Sequence, residues 1–407
     1  MVFLTKPCST IKGGILFFLF AFSSFVVGQE VFKKGVVMDS IAVMGTKNES
    51  FALYLPISFD STKALPILFV FDPAARGKAG LLPFIEASER HNIILVCSNN
   101  SKNGSFDISF SVADHLFNHV FQNFKVDTDL MFLSGFSGGS RLASAIAVLS
   151  GQFAGVIGCG AGFSPNPMHT PSGLSKDFLY AAICGTEDMN YSELLRNTQY
   201  LEKIKFANTL FSFNGGHRWP DQREITRAFD WLFIKKNKIQ QTQGLTHGAF
   251  SSDYDLTQAF LKNDELLFAQ ENYERMLGTY PQYLGLDSIR KKSAELVSSK
   301  PFKAALQERD GALIQEEKIK KRLFSRLHRD LDAENEIRFK WWENEAKKLH
   351  QIEKEGSKEA KRMVARIKYG IVAAVYEKGY SKPKLRANKD FHNQLIRSFR
   401  DILYPNP

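Results

Sequence analysis

A serine, an acid and a histidine stand in a fixed order along this chain, each just past a short apolar run. Ser137 is the centre of Gly135-Phe136-Ser137-Gly138-Gly139, between the apolar run 130–133 and the helical pattern 140–149. That is strand, sharp turn, helix. A serine at the tip of such a turn holds a strained backbone, so the residues two away must lack side chains, and its hydroxyl points out beside the next helix's N-terminal amides. A hydroxyl is a poor nucleophile until a base takes its proton, and the base needs an acid to fix its tautomer. The run ending at Cys184 leads into Gly185-Thr186-Glu187-Asp188, and the run 209–213 into Asn214-Gly215-Gly216-His217-Arg218-Trp219-Pro220. Asp188 is the expected acid, because a residue three past the glycine folds back toward the strand top; Glu187 is the second choice. His217 is the expected base. The plainer alternatives are a glycine-rich turn that only links strand to helix and a histidine that only caps.

Acyl transfer also needs donors for the oxygen that becomes negative. The amide after the nucleophile, Gly138, is one. The other is expected from Asp72-Pro73-Ala74-Ala75-Arg76-Gly77, and since Pro73 has no amide hydrogen, Ala74 is the candidate. This chemistry requires no cofactor. His115 and His119, four apart on a helix, share a face, but no H-E-x-x-H glutamate or third ligand accompanies them, so no metal site is expected. The loop 162–176 is either a wall of the substrate pocket or only a long connection. Trp341-Trp342 suits core packing of a helix better than a ligand platform.

Positioning these residues takes a particular scaffold. Two alternating segments, 36–43 and 51–55, flank a turn-rich stretch and predict an antiparallel hairpin at a sheet edge. Continuous apolar runs at 66–71, 93–97, 130–134, 154–159, 179–184 and 209–213 then alternate with helical segments at 81–90, 111–124, 139–149, 192–204 and 222–236. Such alternation is the signature of buried parallel strands with crossover helices, and α/β sheets bind ligands at the carboxyl ends of their strands. Ser137 lies at such an end. The composition of 237–252 is that of a linker, and from 253 to 407 only helical spacing recurs, predicting helices at 286–297, 303–331, 334–352, 359–377 and 390–403. The start of that half is weakly similar to part of a tetratricopeptide unit, without a sustained period.

At Tyr54-Leu55-Pro56, Leu65-Pro66-Ile67-Leu68-Phe69, Gly135-Phe136-Ser137-Gly138-Gly139, Gly185-Thr186-Glu187-Asp188 and Gly215-Gly216-His217-Arg218-Trp219-Pro220 the chain resembles the α/β-hydrolase superfamily. Within it, it is similar to exported esterases of the polyhydroxybutyrate depolymerase and feruloyl or acetylxylan esterase type. The resemblance implies an α/β-hydrolase fold over 29–236 and an ester substrate, small or polymeric. It also implies Ser137 as nucleophile, Asp188 as orienting acid and His217 as general base. One departure stands out: Asp72-Pro73 occupies the place where such enzymes usually carry His-Gly. Beyond residue 245 the resemblance stops, leaving the C-terminal all-α region unexplained.

The remaining composition sets the setting. The chain has 407 residues, 44% hydrophobic and 24% charged, as expected of a globular protein. Its net charge of +10 gathers after residue 285, interleaved with Glu and Asp at helical spacing, which argues for solvated helix faces and against nucleic acid. Residues 1–28 read as an export signal: Lys6 and Lys12, an apolar stretch, then small residues ending at Gly28. That stretch, about 15 residues, is short of the roughly 20 needed to span a bilayer, and no later transmembrane segment is expected. A periplasmic or extracellular protein follows. Cys97, Cys159 and Cys184 end apolar runs and are expected to be buried free thiols, with one disulfide among them the alternative. Two rival readings remain: a serine peptidase using the same three residues, and a catalytically weak scaffold whose helical half binds a partner at the cell envelope.

Overall fold

Eight strands form one sheet in the order β1-β2-β4-β3-β5-β6-β7-β8. They are β1 Val37–Ala42, β2 Ser50–Tyr54, β3 Leu65–Phe71, β4 Ile94–Ser98, β5 Val126–Phe136, β6 Gly155–Cys159, β7 Leu179–Gly185 and β8 Asn208–Phe213. The pairs β1·β2 and β2·β4 are antiparallel, and every pair from β3·β4 onward is parallel. This is the α/β-hydrolase arrangement with its N-terminal hairpin at one edge. The computed structural model describes residues 32–173, 178–236, 243–281, 284–332, 337–381, 385 and 387–405. The segment 1–28 lies outside them. Among the described residues no helix is long and apolar enough to cross a membrane.

The continuous apolar runs are strands because helices cover both faces. Residues Ile94–Ser98 are all buried, as are Leu179–Gly185. The covering helices are α1 Gly77–Leu81, α2 Ile85–His91, α3 Phe106–Asn123, α4 Gly138–Ser150, α5 Tyr191–Lys203 and α6 Gln222–Lys235. A core of Phe84, Phe132, Phe211, Phe229 and Leu232 joins α6 to the sheet. The segment expected as one helix at 81–90 is divided by a 3-10 turn, Leu82–Phe84, whose Pro83 cannot donate a helical hydrogen bond. Strand β5 starts at Val126, before the predicted 130, because the polar Asp127 and Asp129 hide its exposed beginning.

Among the described residues the helices that follow are α7 Gln243–Lys262, α8 Leu266–Thr279, α9 Asp287–Ser298, α10 Lys300–Asp332, α11 Phe339–Glu355, α12 Lys358–Ser381 and α13 Lys389–Leu403. The stretch predicted as a linker, 237–252, is therefore helical from Gln243 on, while 237–242 lie outside the described residues. Its Gln, Thr, Gly and Ser disguise an inward face: Ala249 packs with Ile234 of α6 and with Tyr273, Met276 and Tyr280. Farther on, Leu323, Leu327, Trp342, Leu349, Met363, Ile367, Ile371 and Phe399 make a second core from α10 to α13. Trp342 is fully buried there and donates its indole N–H to Asp330 Oδ2 at 2.9 Å, as core packing requires.

Residues Lys33–Pro407 form one compact unit, so the helical half rests directly on the sheet's carboxyl rim. Arg366 of α12 is fully buried, donating to Glu316 Oε2 of α10 and to the Thr186 carbonyl just past β7, each at 2.6 Å. Lys320 of α10 donates to the Met189 carbonyl at 3.0 Å, and Arg362 bonds Asn214 after β8. Breaking a buried ion pair from one side costs about 3–5 kcal/mol. Since Lys320 still pairs with Glu316, at 2.6 Å, Arg366→Met should cost about 3 kcal/mol, the low end of that range. Urea unfolding of the two proteins checks this; an unchanged midpoint would mean that the helical half does not lean on the Thr186 turn.

Candidate active site

Strand β5 is central in the sheet and runs straight into α4, and Ser137 sits at the junction with φ +54° and ψ −118°. A non-glycine residue there is strained, and the strain persists because its surroundings fix it. The Ser137 amide donates to the Cys159 carbonyl at 2.8 Å, and the Ser137 carbonyl accepts from the amides of Ser140 and Arg141. The two outer glycines are obligatory by contact. A methyl group on Gly139 would collide with the Phe71 carbonyl, and one on Gly135 with the backbone of Gly139. Only bare backbone lets α4 start this close to β3 and β5.

The loops after β7 and β8 bring the other two side chains to the same point. His217 Nε2 lies 3.0 Å from Ser137 Oγ, and His217 Nδ1 lies 2.8 Å from Asp188 Oδ2. Asp188 is 1% exposed and also accepts the Asn190 amide at 2.9 Å, which fixes its carboxylate. Glu187, the second choice for the acid, points to solvent. The imidazole lies between two rings, Phe136 at 4.5 Å and Tyr369 of α12 at 5.4 Å between centroids. A histidine held by a buried carboxylate and facing a hydroxyl can take that hydroxyl's proton and return it to a leaving group. Tyr369 belongs to the helical half, and nothing in its local sequence ties it to His217.

The loop after β3 differs from expectation. Ala74, the expected second oxyanion donor, spends its amide on Asp72 Oδ1 at 2.9 Å. Asp72 itself is buried, bound by Arg76 Nε and Nη2 at 3.0 Å each and by the Trp219 indole N–H at 3.1 Å. Trp219 follows His217 by two residues and packs on Phe136, with ring centroids 5.3 Å apart. At Asp72-Pro73 this chain thus uses a carboxylate to tie the β3 loop to the histidine loop. The Gly138 amide heads α4, where helix geometry leaves the first amides without intrahelical acceptors.

A cleft of about 1260 Å³ opens in front of Ser137. Part of the loop after β6 lines it, through Phe163, Ser164, Pro165 and Thr170, while 174–177 lie outside the described residues. Arg141, on the elbow helix, holds Glu193 of α5 with two bonds of 2.7 and 2.8 Å and so fixes that wall. The opposite wall comes from α10 and α12, with Leu313, Ile314, Phe324 and Ala374 among its apolar residues. The helical half is therefore part of the site. His115 instead meets Glu49 at 3.0 Å, and His119 accepts the Met44 amide at 3.0 Å. Among the described residues no cluster of three or more His, Cys, Asp or Glu side chains is arranged to hold a metal ion. Cys97, Cys159 and Cys184 are buried free thiols.

Burial alone would raise the Asp72 carboxyl, but Arg76, the Ala74 amide and Trp219 together hold it below its ordinary value. A carboxyl lowered on folding stabilises the protein above its unfolded pKa, about 3.9, and that stability is lost as pH falls toward the folded value. Asp72→Asn should therefore cost about 2 kcal/mol at pH 7, the scale of a hydrogen bond to a charged group. The gap between variant and parent should close as pH falls below about 3.9. Paired urea midpoints at pH 7 and pH 3 check the sign; a gap that widens in acid would contradict it.

No family model and no curated protein matches this sequence. Solved structures similar to the chain include S-formylglutathione hydrolase FrmB from Staphylococcus aureus, at 17% identity and a TM-score of 0.40, over 48% of this chain and 95% of that one. A ferulic acid esterase is similar at 16% identity and a TM-score of 0.37, over 48% and 96%. The α/β hydrolase MGS-M1 from a Medee basin deep-sea metagenome is similar at 14% identity and a TM-score of 0.41, over 51% and 100%.

Proposed function

We propose that this protein is an exported serine hydrolase that cleaves a carboxylic ester through an acyl-serine intermediate. The observation that carries the reading is the continuous line of contacts from Asp188 through His217 to Ser137, at 2.8 and 3.0 Å. Ser137 Oγ attacks the ester carbonyl carbon while His217 Nε2 takes its proton. The carbonyl oxygen becomes an oxyanion facing the Gly138 amide. Collapse expels the alcohol, which receives the proton from His217, and water then repeats the sequence to release the acid. Asp188 holds the imidazole in the tautomer that leaves Nε2 free to accept.

The cleft volume of about 1260 Å³ exceeds the roughly 300–1,000 Å³ of pockets for drug-sized ligands, which favours an extended or polymeric ester. Its walls carry both signs of charge, Arg141, Arg309 and Lys320 against Glu193, Asp310 and Glu316, so charge selects no single ionic substrate. Export rests on residues 1–28, and the N-terminus of the exported protein should be Gln29 by Edman degradation.

Ser137→Ala should abolish turnover of a short p-nitrophenyl ester, a loss on the order of 10⁴-fold or more, with the thermal midpoint unchanged. Activity persisting in that variant would reject the mechanism. Faster cleavage of a peptide anilide than of the matching ester would reject the substrate class.

A further inference from the structure

The expected backbone donor from the β3 loop is already occupied, since the Ala74 amide donates to Asp72 Oδ1 at 2.9 Å. An oxyanion held by the Gly138 amide alone would lack one of the two donors that acyl transfer ordinarily uses, and each such donor is worth about 10² to 10³ in rate. A different polar group stands beside Gly138. The Asn103 side chain, on the loop after β4, lies directly against the Cα of Gly138, the residue next to Ser137. Its Nδ2 is 3.2 Å from where a Cβ on Gly138 would sit, and its Oδ1 is nearer still. Gly138 is thus bare because Asn103 fills the space beside it. Among the described residues the Asn103 carboxamide has no hydrogen-bond partner, and it lines the cleft with Ser137, Gly138 and Pro73.

Asn103 is held in place by its backbone. Its amide donates to the Pro73 carbonyl at 2.9 Å, and the preceding Lys102 bridges Ala74 in antiparallel fashion. The loop after β4 is therefore stitched to the same β3 loop whose own amide is taken. A primary carboxamide offers two N–H donors and one carbonyl acceptor, and a half-turn about its terminal torsion exchanges them. An oxyanion forming in front of Gly138 selects the orientation that presents Nδ2–H.

We propose that Asn103 is a catalytic residue: its side-chain carboxamide is the second oxyanion donor, in the role expected for the Ala74 amide. The inference rests on the acyl-serine reading above. During attack by Ser137 Oγ the carbonyl π electrons move onto oxygen, and Nδ2–H shares its hydrogen with that oxygen without giving up the proton. When the intermediate collapses the electrons return and the alcohol leaves with the proton from His217. Asn103 is unchanged over the cycle.

The test compares the full-length mature protein with Asn103→Ala and Asn103→Asp, using a p-nitrophenyl ester and its thionoester, whose C=S sulfur is a weak hydrogen-bond acceptor. Asn103→Ala should lower kcat for the oxygen ester by about 10²- to 10³-fold, with KM within about threefold and the thermal midpoint unchanged, because Asn103 is exposed. Thionoester turnover should fall far less. Asn103→Asp should be slower than Asn103→Ala, since a carboxylate repels the oxyanion. An oxygen-ester kcat within threefold of the parent, or equal losses on both substrates, would overturn the assignment of Asn103. Labelling of the parent by a fluorophosphonate, lost in Ser137→Ala, is measured alongside: absence of labelling in the parent sinks the acyl-serine reading itself, whereas labelling with an indifferent Asn103 sinks only this inference.

Discussion

The constraint on which the site depends is the approach of helix α4 to the carbonyl of Phe71 at the end of β3. That approach allows no side chain on Gly139, and the tight turn before it allows none on Gly135. The consequence is a serine with φ +54° at the tip of the central strand. From there, everything else follows by position. The hydroxyl clears the sheet, the amides of α4 begin beneath it, and the loops after β7 and β8 have only to deliver one carboxylate and one imidazole to a point already fixed. Strain at Ser137 is tolerable because the sheet is anchored on both sides of β5, by β3 and by β6.

The loops that meet this point are short, polar and individually weak, and the chain holds them by cross-ties. Asp72 joins the β3 loop to Trp219 in the histidine loop. Arg141 joins the elbow helix to Glu193 of α5 and to the Phe163 carbonyl. Arg366 joins the acid's turn to α10 and α12. Each tie is a charged group with more than one partner; Asp72 and Arg366 are buried and Arg141 partly so, and a charge taken out of water holds only when its hydrogen bonds are met in this way. The third tie fastens the C-terminal helices to the loop after β7. They form a wall of the cleft, place Tyr369 over His217 and clasp the loop that carries Asp188.

Much of this was legible in the amino-acid sequence, for a physical reason. Buried parallel strands must be apolar on both faces, so 179–184 and 154–159 declare themselves within a residue of where they lie. The order of Ser137, Asp188 and His217 is visible because each must stand at a strand end. What stayed hidden depends on partners remote in sequence. The Gln, Thr and Gly of 243–252 suggest a linker, and only contact with Ile234 and Tyr273 makes them a helix. Asp72 stood out as a departure from pattern, but its use, the bond to Trp219, requires two loops from opposite ends of the domain. The engagement of the Ala74 amide followed from that same carboxylate and could not be read from Pro73 alone.

The central claim is that Ser137 is an activated nucleophile with a prepared site for the charge it creates. The most direct measurement is a crystal structure of the protein after reaction with a fluorophosphonate. The account predicts a covalent bond between phosphorus and Ser137 Oγ, a phosphonyl oxygen within hydrogen-bond distance of the Gly138 amide, and His217 still bonded to Asp188. An adduct on any other residue, or a phosphonyl oxygen turned away from Gly138 into solvent, would contradict it.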